Sequence, residues 1–352
     1  MSEKVLMKGN EAIAEAAIRS GCLYYFGYPI TPQNEIATYM SRHMPQAGGL
    51  FLQAESEIAA INMVLGASAA GVRAMTSSSS PGISLKSEGL SYMAGCDLPA
   101  VVVNIQRGGP GLGGIQPSQA DYFQATKGIG HGDFHLIVLA PNNLQEMVDL
   151  TVQAFNLADM YRMTAMVLAD GILGQMMEPV VLPDDKGQLP VGTKDWAVTG
   201  TGGTRKRNII NSLYLQPKEL EAQNFMRYER YAQIEASEQR FESYMMDDAD
   251  IVVTAYGASS RIAKNAILEA RAQGIKAGML RPITLWPFPK TAFAQAAEVA
   301  LAFVVVEMSM GQMIEDVELA IRCRRPVYLC NRTGGMVPTP EHILELIKKA
   351  EK

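Results

Sequence analysis

The chain has 352 residues, a formal net charge of −5, and 48% hydrophobic against 19% charged residues, the balance of a globular protein. That length suits two α/β domains with a connecting segment, and the mild negative charge supplies no field for nucleic acid. The Arg205-Lys206-Arg207 cluster is too small to change this and reads as a solvated loop or a partner contact. The longest apolar run, Val299 to Val306, is far too short to span a bilayer, and Met1-Ser2-Glu3-Lys4 opens no basic region leading into an apolar stretch. No membrane segment and no secretory signal are expected, and the expected location is cytoplasmic.

From Gly9 to about Ala169 the chain alternates helical and strand patterns, which predicts a doubly wound sheet of mostly parallel strands covered on both faces. Gly9 opens an alanine-rich helix that Gly21 stops. Tyr24 to Gly27 reads as a short strand, and Tyr28-Pro29-Ile30-Thr31-Pro32 as the turn at its end, with Pro32 suited to the first turn of the next helix. Glu57 to Ala70 reads as helix. Met75 to Ser77 reads as a strand running into the Ser78-Ser79-Ser80-Pro81-Gly82 turn and another helix. Val101 to Ile105 is a buried strand pattern, followed by a loop from Arg107 to Ser118 whose glycines let backbone approach a ligand closely. A short helix from Asp121 to Gly128, a strand from Ile137 to Leu139, a helix from Leu144 to Ala158 and a strand from Thr164 to Ala169 complete this unit.

The pattern then breaks. Pro179, Pro183 and Pro190 read as an extended crossing, followed by a glycine-rich turn and a long charged helix from Lys218 to about Tyr244. A second, smaller α/β unit starts at Ile251 to Tyr256. It continues through a helix to Gly274, strands at Ala277 to Leu280 and Ala302 to Glu307, helices at Lys290 to Ala297 and Gln312 to Arg322, and a last strand at Val327 to Cys330. The expected domains are residues 1–178, a linker and long helix at 179–247, and residues 248–352.

Ligands in open α/β sheets bind where strands end. Arg107 sits just past a buried strand, and a planar guanidinium beside glycine-rich backbone clamps a carboxylate bidentately. Thr31, between two prolines, either caps a helix or donates its hydroxyl to the same anion. Glu57 opens an apolar helix, where it either complements the helix dipole or serves as a dry acid that shares a proton with a ring nitrogen; Glu55 is its rival for that role. The serine run resembles an anion-binding loop but lacks the lysine of a P-loop. His131 and His135 lie in a loop without partners and read as structural or substrate-lining. Cys22, Cys96, Cys323 and Cys330 lie far apart with no C-x-x-C pair, so no metal site within this chain is expected. No G-x-S-x-G elbow is present, which sets aside serine hydrolase chemistry.

Gly27-Tyr28-Pro29-Ile30-Thr31-Pro32, then Glu55-Ser56-Glu57 leading to Gly66-Ala67, then Gln106-Arg107-Gly108-Gly109-Pro110, occur in one order along the chain. This constellation resembles the α-type subunit of the thiamine-diphosphate-dependent 2-oxoacid:ferredoxin oxidoreductases. The likeness continues through His131-Gly132-Asp133-Phe134 and Leu280-Arg281-Pro282-Ile283-Thr284-Leu285-Trp286-Pro287. It implies a thiamine pyrimidine-type domain followed by a transketolase C-terminal-like domain. It implies that Thr31 and Arg107 bind the substrate carboxylate, that Glu57 faces the aminopyrimidine, and that Tyr28, Pro29 and Ile30 belong to the cofactor site. No Gly-Asp-Gly followed by an Asn-Asn region is present, so magnesium and diphosphate are expected on a β-type partner subunit. The resemblance also implies γ-type and ferredoxin-like subunits carrying [4Fe-4S] clusters, with coenzyme A and ferredoxin as co-substrates. Pro110-Gly111-Leu112-Gly113 departs from the Pro-Ser-Thr-Gly of members acting on 2-oxoglutarate, which favours a branched-chain substrate such as 2-oxoisovalerate. The alternatives are the 2-oxoglutarate reaction, a non-redox thiamine decarboxylase or transketolase-like subunit, and a non-catalytic assembly subunit.

Overall fold

A computed structural model describes residues 4–183 and 193–352; Pro190, expected in the extended crossing, and Met1 to Glu3 lie outside the described residues. The first part of the chain runs β1 (Lys4–Lys8), α1 (Gly9–Arg19), β2 (Tyr24–Gly27), α2 (Asn34–His43), β3 (Leu50–Gln53), α3 (Glu57–Ala69), β4 (Ala74–Ser78), α4 (Ser80–Gly95) and β5 (Ala100–Gln106). It continues with α5 (Tyr122–Thr126), β6 (Ile137–Leu139), α6 (Leu144–Tyr161), β7 (Thr164–Asp170), α7 (Gly171–Gln175), β8 (Met177–Val181) and α8 (Pro217–Ser237). The remainder is β9 (Phe241–Tyr244), β10 (Ile251–Ala255), α9 (Gly257–Ala272), β11 (Ala277–Pro282), β12 (Thr284–Trp286), α10 (Lys290–Val299), β13 (Ala302–Glu307), α11 (Met313–Ala320), β14 (Val327–Asn331) and α12 (Pro340–Glu351).

Seven strands form the larger sheet in the order β12-β6-β7-β5-β4-β2-β3, all parallel except β12. Its central strands β4, β5 and β7 are buried at every residue, as strands covered by helices on both faces require. From β2 the chain steps outward to β3 and then returns to pair β4 on the other side of β2, so the winding reverses at β2. The carboxyl ends of β2, β3, β4 and β5 therefore converge around a topological switch point.

Five strands form the smaller sheet, β14-β13-β10-β11-β9, with β9 antiparallel at its edge. Strand β10 alternates between two cores. Val252 joins the large core of the first unit, while Ile251 and Val253 pack with α9 and α12 on the other face.

The two sheets exchange pieces. Phe241 to Tyr244, read from sequence as the end of the long helix, leaves it after Ser237 and becomes β9, pairing with β11. β12 crosses back to hydrogen-bond β6 as the edge strand of the larger sheet. Side by side with that crossing, Arg281 is 1% exposed and reaches both Glu146 oxygens on α6, at 2.6 and 2.9 Å, and Glu242 on β9 at 2.7 Å. Gln119 closes the seam at a second point: its amide nitrogen donates to the Tyr256 carbonyl at 2.8 Å and its oxygen accepts from Ser259 and from the Met308 N–H. A third tie is the Asp316 carboxylate, which accepts from the Tyr122 hydroxyl at 2.6 Å and from Lys127.

Candidate functional site

Four loops at the carboxyl ends of β2 to β5 carry the residues singled out from sequence. After β2 comes the Tyr28 to Pro32 turn, braced by Gln33. The Gln33 amide donates to the Tyr28 carbonyl at 3.3 Å, its backbone N–H to the Ile30 carbonyl at 3.1 Å, and its side-chain oxygen accepts from Ser77 on β4 at 2.5 Å. The Ser77 hydroxyl lies 2.7 Å from the Tyr25 hydroxyl, so a buried polar chain links β2, β4 and the turn. Pro29 and Thr31 are exposed at the tip, Tyr28 and Ile30 half-buried. The Thr31 hydroxyl accepts from Asn34 at 3.3 Å.

After β3, Ser56 caps α3 by accepting the Ala59 N–H at 3.1 Å, which fixes Glu57 as the first helical residue. Glu57 is 6% exposed, whereas its sequence rival Glu55 lies exposed. The Glu57 carboxylate has no hydrogen-bond partner among the described residues, so a buried acceptor stands open to a ligand. Gly82, in the first turn of α4, lies against it: a Cβ there would stand 2.6 Å from Glu57 Oε1 and would strike Ser78 Oγ. A side chain at this position would displace one or both groups.

After β5, Arg107 is 8% exposed and extends its guanidinium toward the first turn, donating to the Thr31 carbonyl at 3.0 Å and to the Leu112 carbonyl at 3.3 Å. Its Nε has no partner. The Arg107 N–H donates to Ser80 Oγ at 3.1 Å, and that hydroxyl bonds Asp121 at 2.5 Å. Asn104 donates to the same Asp121 oxygen at 2.9 Å; burial pushes the Asp121 carboxyl up, and these two hydrogen bonds oppose the rise. The opening of α4 is thus a hub: Ser80 holds the strand end that bears Arg107, and Gly82 borders Glu57. Arg107 is hydrogen-bonded both to the Thr31 turn, which also carries Tyr28, Pro29 and Ile30, and to the start of α4, whose Gly82 borders Glu57. His131 and His135 lie elsewhere, His131 edge-on to Tyr92 and His135 stacked on Trp286.

Sequence reasoning missed several residues here. Gln33 and Asp121 carry no spacing signal. Lys86 does: it lies four residues after Gly82 on the buried stripe Gly82, Lys86, Gly89, Leu90 and Met93, where a helix facing a core ordinarily places apolar side chains. Lys86 is fully buried, its Nζ has no hydrogen-bond partner, and burial lowers its pKa from 10.5 to about 8 against the opposing pull of the Glu57 charge. The Ser78 and Ser79 hydroxyls, where β4 turns into α4, are likewise buried and unpaired. A carboxylate without a partner and unpaired buried hydroxyls at the strand ends fit a polar ligand. Among the described residues no group of His, Cys, Asp or Glu is arranged to hold a metal ion, and no helix is long and apolar enough to cross a membrane.

Two family models match the chain: the thiamine-diphosphate-binding domain of pyruvate flavodoxin/ferredoxin oxidoreductases over residues 15–247, and core domain II of pyruvate:ferredoxin oxidoreductase over residues 249–343. The chain is 53% identical to a ketoisovalerate oxidoreductase subunit VorB of Methanothermobacter marburgensis, over 98% of its length and 97% of the relative. It is 37% identical to a 2-oxoglutarate synthase subunit KorA of Methanothermobacter thermautotrophicus, with both chains covered in full. Among solved structures, a 2-oxoglutarate:ferredoxin oxidoreductase from Magnetococcus marinus, with 2-oxoglutarate, coenzyme A and succinyl-CoA bound, superposes with a TM-score of 0.89 at 28% identity. That match covers the whole of this chain and 66% of the solved one. A split-gene transketolase shares the fold at 13% identity and a TM-score of 0.61.

Proposed function

The chain belongs to the 2-oxoacid:ferredoxin oxidoreductases, and from that premise we propose that it is the subunit carrying the acid and the cation for coenzyme A-dependent oxidative decarboxylation of a branched-chain 2-oxoacid. In this reading thiamine diphosphate, when bound, supplies a nucleophilic thiazolium carbon and an electron sink for the carbonyl carbon of the substrate. Glu57 hydrogen-bonds the ring nitrogen of the aminopyrimidine and holds or returns one proton at its carboxyl oxygen. Arg107 and the Thr31 hydroxyl take the substrate carboxylate. The Arg107 guanidinium, pinned by the Thr31 and Leu112 carbonyls, is oriented in advance and loses little freedom on binding. Tyr28, Pro29 and Ile30 border the ring. Magnesium and the diphosphate fall to a β-type subunit. The [4Fe-4S] clusters fall to further partners that pass electrons to ferredoxin, and all of these act in the cytoplasm.

The observation that carries the substrate choice is the loop after Arg107. It offers the apolar, exposed side chains of Leu112 and Ile115 and, from Gly108 to Ser118, no second cation for a dicarboxylate. The test is to purify the chain with its native partner subunits and offer 2-oxoacids, coenzyme A and a viologen acceptor. The expected result is coenzyme A-dependent viologen reduction that is fastest with 2-oxoisovalerate. Preference for 2-oxoglutarate would overturn the substrate class, and aldehyde release without coenzyme A would overturn the redox reading.

A further inference from the structure

We infer that Lys86 is a positioning residue for this chemistry: its buried ammonium is the counter-charge of Glu57 and biases the proton shared between Glu57 and the ring nitrogen toward the ring. The inference rests on the reading of Glu57 as the acid that faces the aminopyrimidine. A lysine is among the residues least often found fully buried without a partner, because the stem packs readily but the ammonium must give up water. Here the stem lies on the core stripe of α4, one turn after Gly82, so that Lys86 stands on the helix face that borders Glu57. Among the described residues its Nζ is left without a hydrogen bond, and the Glu57 charge opposes the lowering that burial imposes on it.

The other charged groups among the described residues of the neighbouring elements are engaged by their own hydrogen bonds. Along α3 the sole titratable residue is Glu57, and β4 and β5 contain none. On β7, Asp170 is spent on the N–H groups of Ile172, Leu173 and Ala258. Tyr25 is bonded to Ser77, Asp121 to Ser80 and Asn104, Tyr122 to Asp316, and the Arg107 guanidinium to two carbonyls. On α4 itself, exposed Glu88 accepts from Tyr92. A positive charge beside a carboxylate makes it a weaker base, which is the direction in which the Lys86 ammonium acts on the shared proton.

The test uses the complex with the partner subunit and a readout other than turnover, the deuterium exchange of the bound cofactor's thiazolium proton as a function of pH. In Lys86→Met, which keeps an unbranched apolar stem, the acid limb of the exchange profile is expected to move up by about one pH unit or more, and exchange on that limb to slow about tenfold. Lys86→Arg, which keeps the charge, is expected to lie nearer the wild-type profile. An unshifted profile in Lys86→Met, with exchange abolished in Glu57→Gln, would overturn the role of Lys86 while leaving that of Glu57 intact. Normal exchange in Glu57→Gln would instead overturn the reading of the site. A second measurement does not depend on how the lysine variants fold: the Lys86 ammonium is titrated by nitrogen NMR in the wild-type chain and in Glu57→Gln. Loss of the Glu57 charge is expected to lower the Lys86 pKa further, and an unchanged titration would overturn the pairing.

Discussion

Lys86→Met should change the stability of the chain in a way that depends on pH, and the size follows from burial of the ammonium. The folded chain lowers the Lys86 pKa from 10.5 to about 8, which at about 1.4 kcal/mol per pH unit corresponds to about 3 kcal/mol of charge-burial penalty. Below pH 8 the lysine is protonated in both folded and unfolded chains, and the whole penalty acts against folding. Between about pH 8 and 10.5 the folded chain gives up the proton while the unfolded chain still holds it, so wild-type stability gains relative to a variant that cannot titrate. Above that window the penalty is gone. Urea unfolding of the wild-type and Lys86→Met chains across pH 7 to 10.5 therefore should show the variant's relative stability falling by about 3 kcal/mol over the window. Titrating groups that do not interact with Lys86 cancel in the difference. A difference that stays level with pH would refute the claim that a charged lysine is buried beside Glu57.

Three further results are expected. Glu57→Gln should slow exchange of the cofactor's thiazolium proton by about a hundredfold or more, since a positioned acid–base group contributes on that scale. NMR on the assembled complex reads it, and wild-type exchange would remove Glu57 from the chemistry. Arg107→Ala should raise the 2-oxoacid concentration needed for half-maximal rate by roughly 30- to 100-fold, the worth of a charge-assisted contact, with far less effect on cofactor affinity; steady-state kinetics with the viologen acceptor decides, and unchanged substrate dependence would count against the assignment. Arg281→Met should destabilise the chain by about 3 kcal/mol, because it strips a buried partner from Glu146 and Glu242 at the seam between the two sheets. A urea midpoint equal to wild type would mean that the crossing β12 alone secures the domains.

Much of this architecture is legible in the residues because its signals are local. Val101 to Ile105 and Thr164 to Ala169 read as buried strands since their apolar runs are continuous; β5 extends the first by one residue at each end and β7 the second by one residue at its carboxyl end. The apolar run that Glu57 opens marks the start of α3, and with it the position of Glu57. What was not legible depends on partners distant in sequence. Thr284 to Trp286 is too short and too closely bounded by prolines to show a period, and it is a strand because β6 offers an open edge. Phe241 to Tyr244 follows a charged helix without a proline or glycine to end it, and pairing with β11 decides its state. Within the site, Thr31, Glu57 and Arg107 announce themselves by their position at predicted element ends. Lys86 is hidden mid-helix, and only its place on the buried stripe, a charged residue where the packing calls for an apolar one, could have drawn attention to it. Gln33 and Asp121 brace the loops at the strand ends through hydrogen bonds that no spacing announces.

The central claim is that this chain contributes the acid and the cation to a thiamine site completed by a partner subunit. A crystal structure of the complex with thiamine diphosphate and a non-reacting 2-oxoacid analogue tests it most directly. The account predicts a Glu57 carboxyl oxygen at about 2.6–3.2 Å from the aminopyrimidine ring nitrogen, and the analogue's carboxylate on Arg107 and Thr31. An aminopyrimidine bound away from Glu57, or a carboxylate held by other groups, would contradict it.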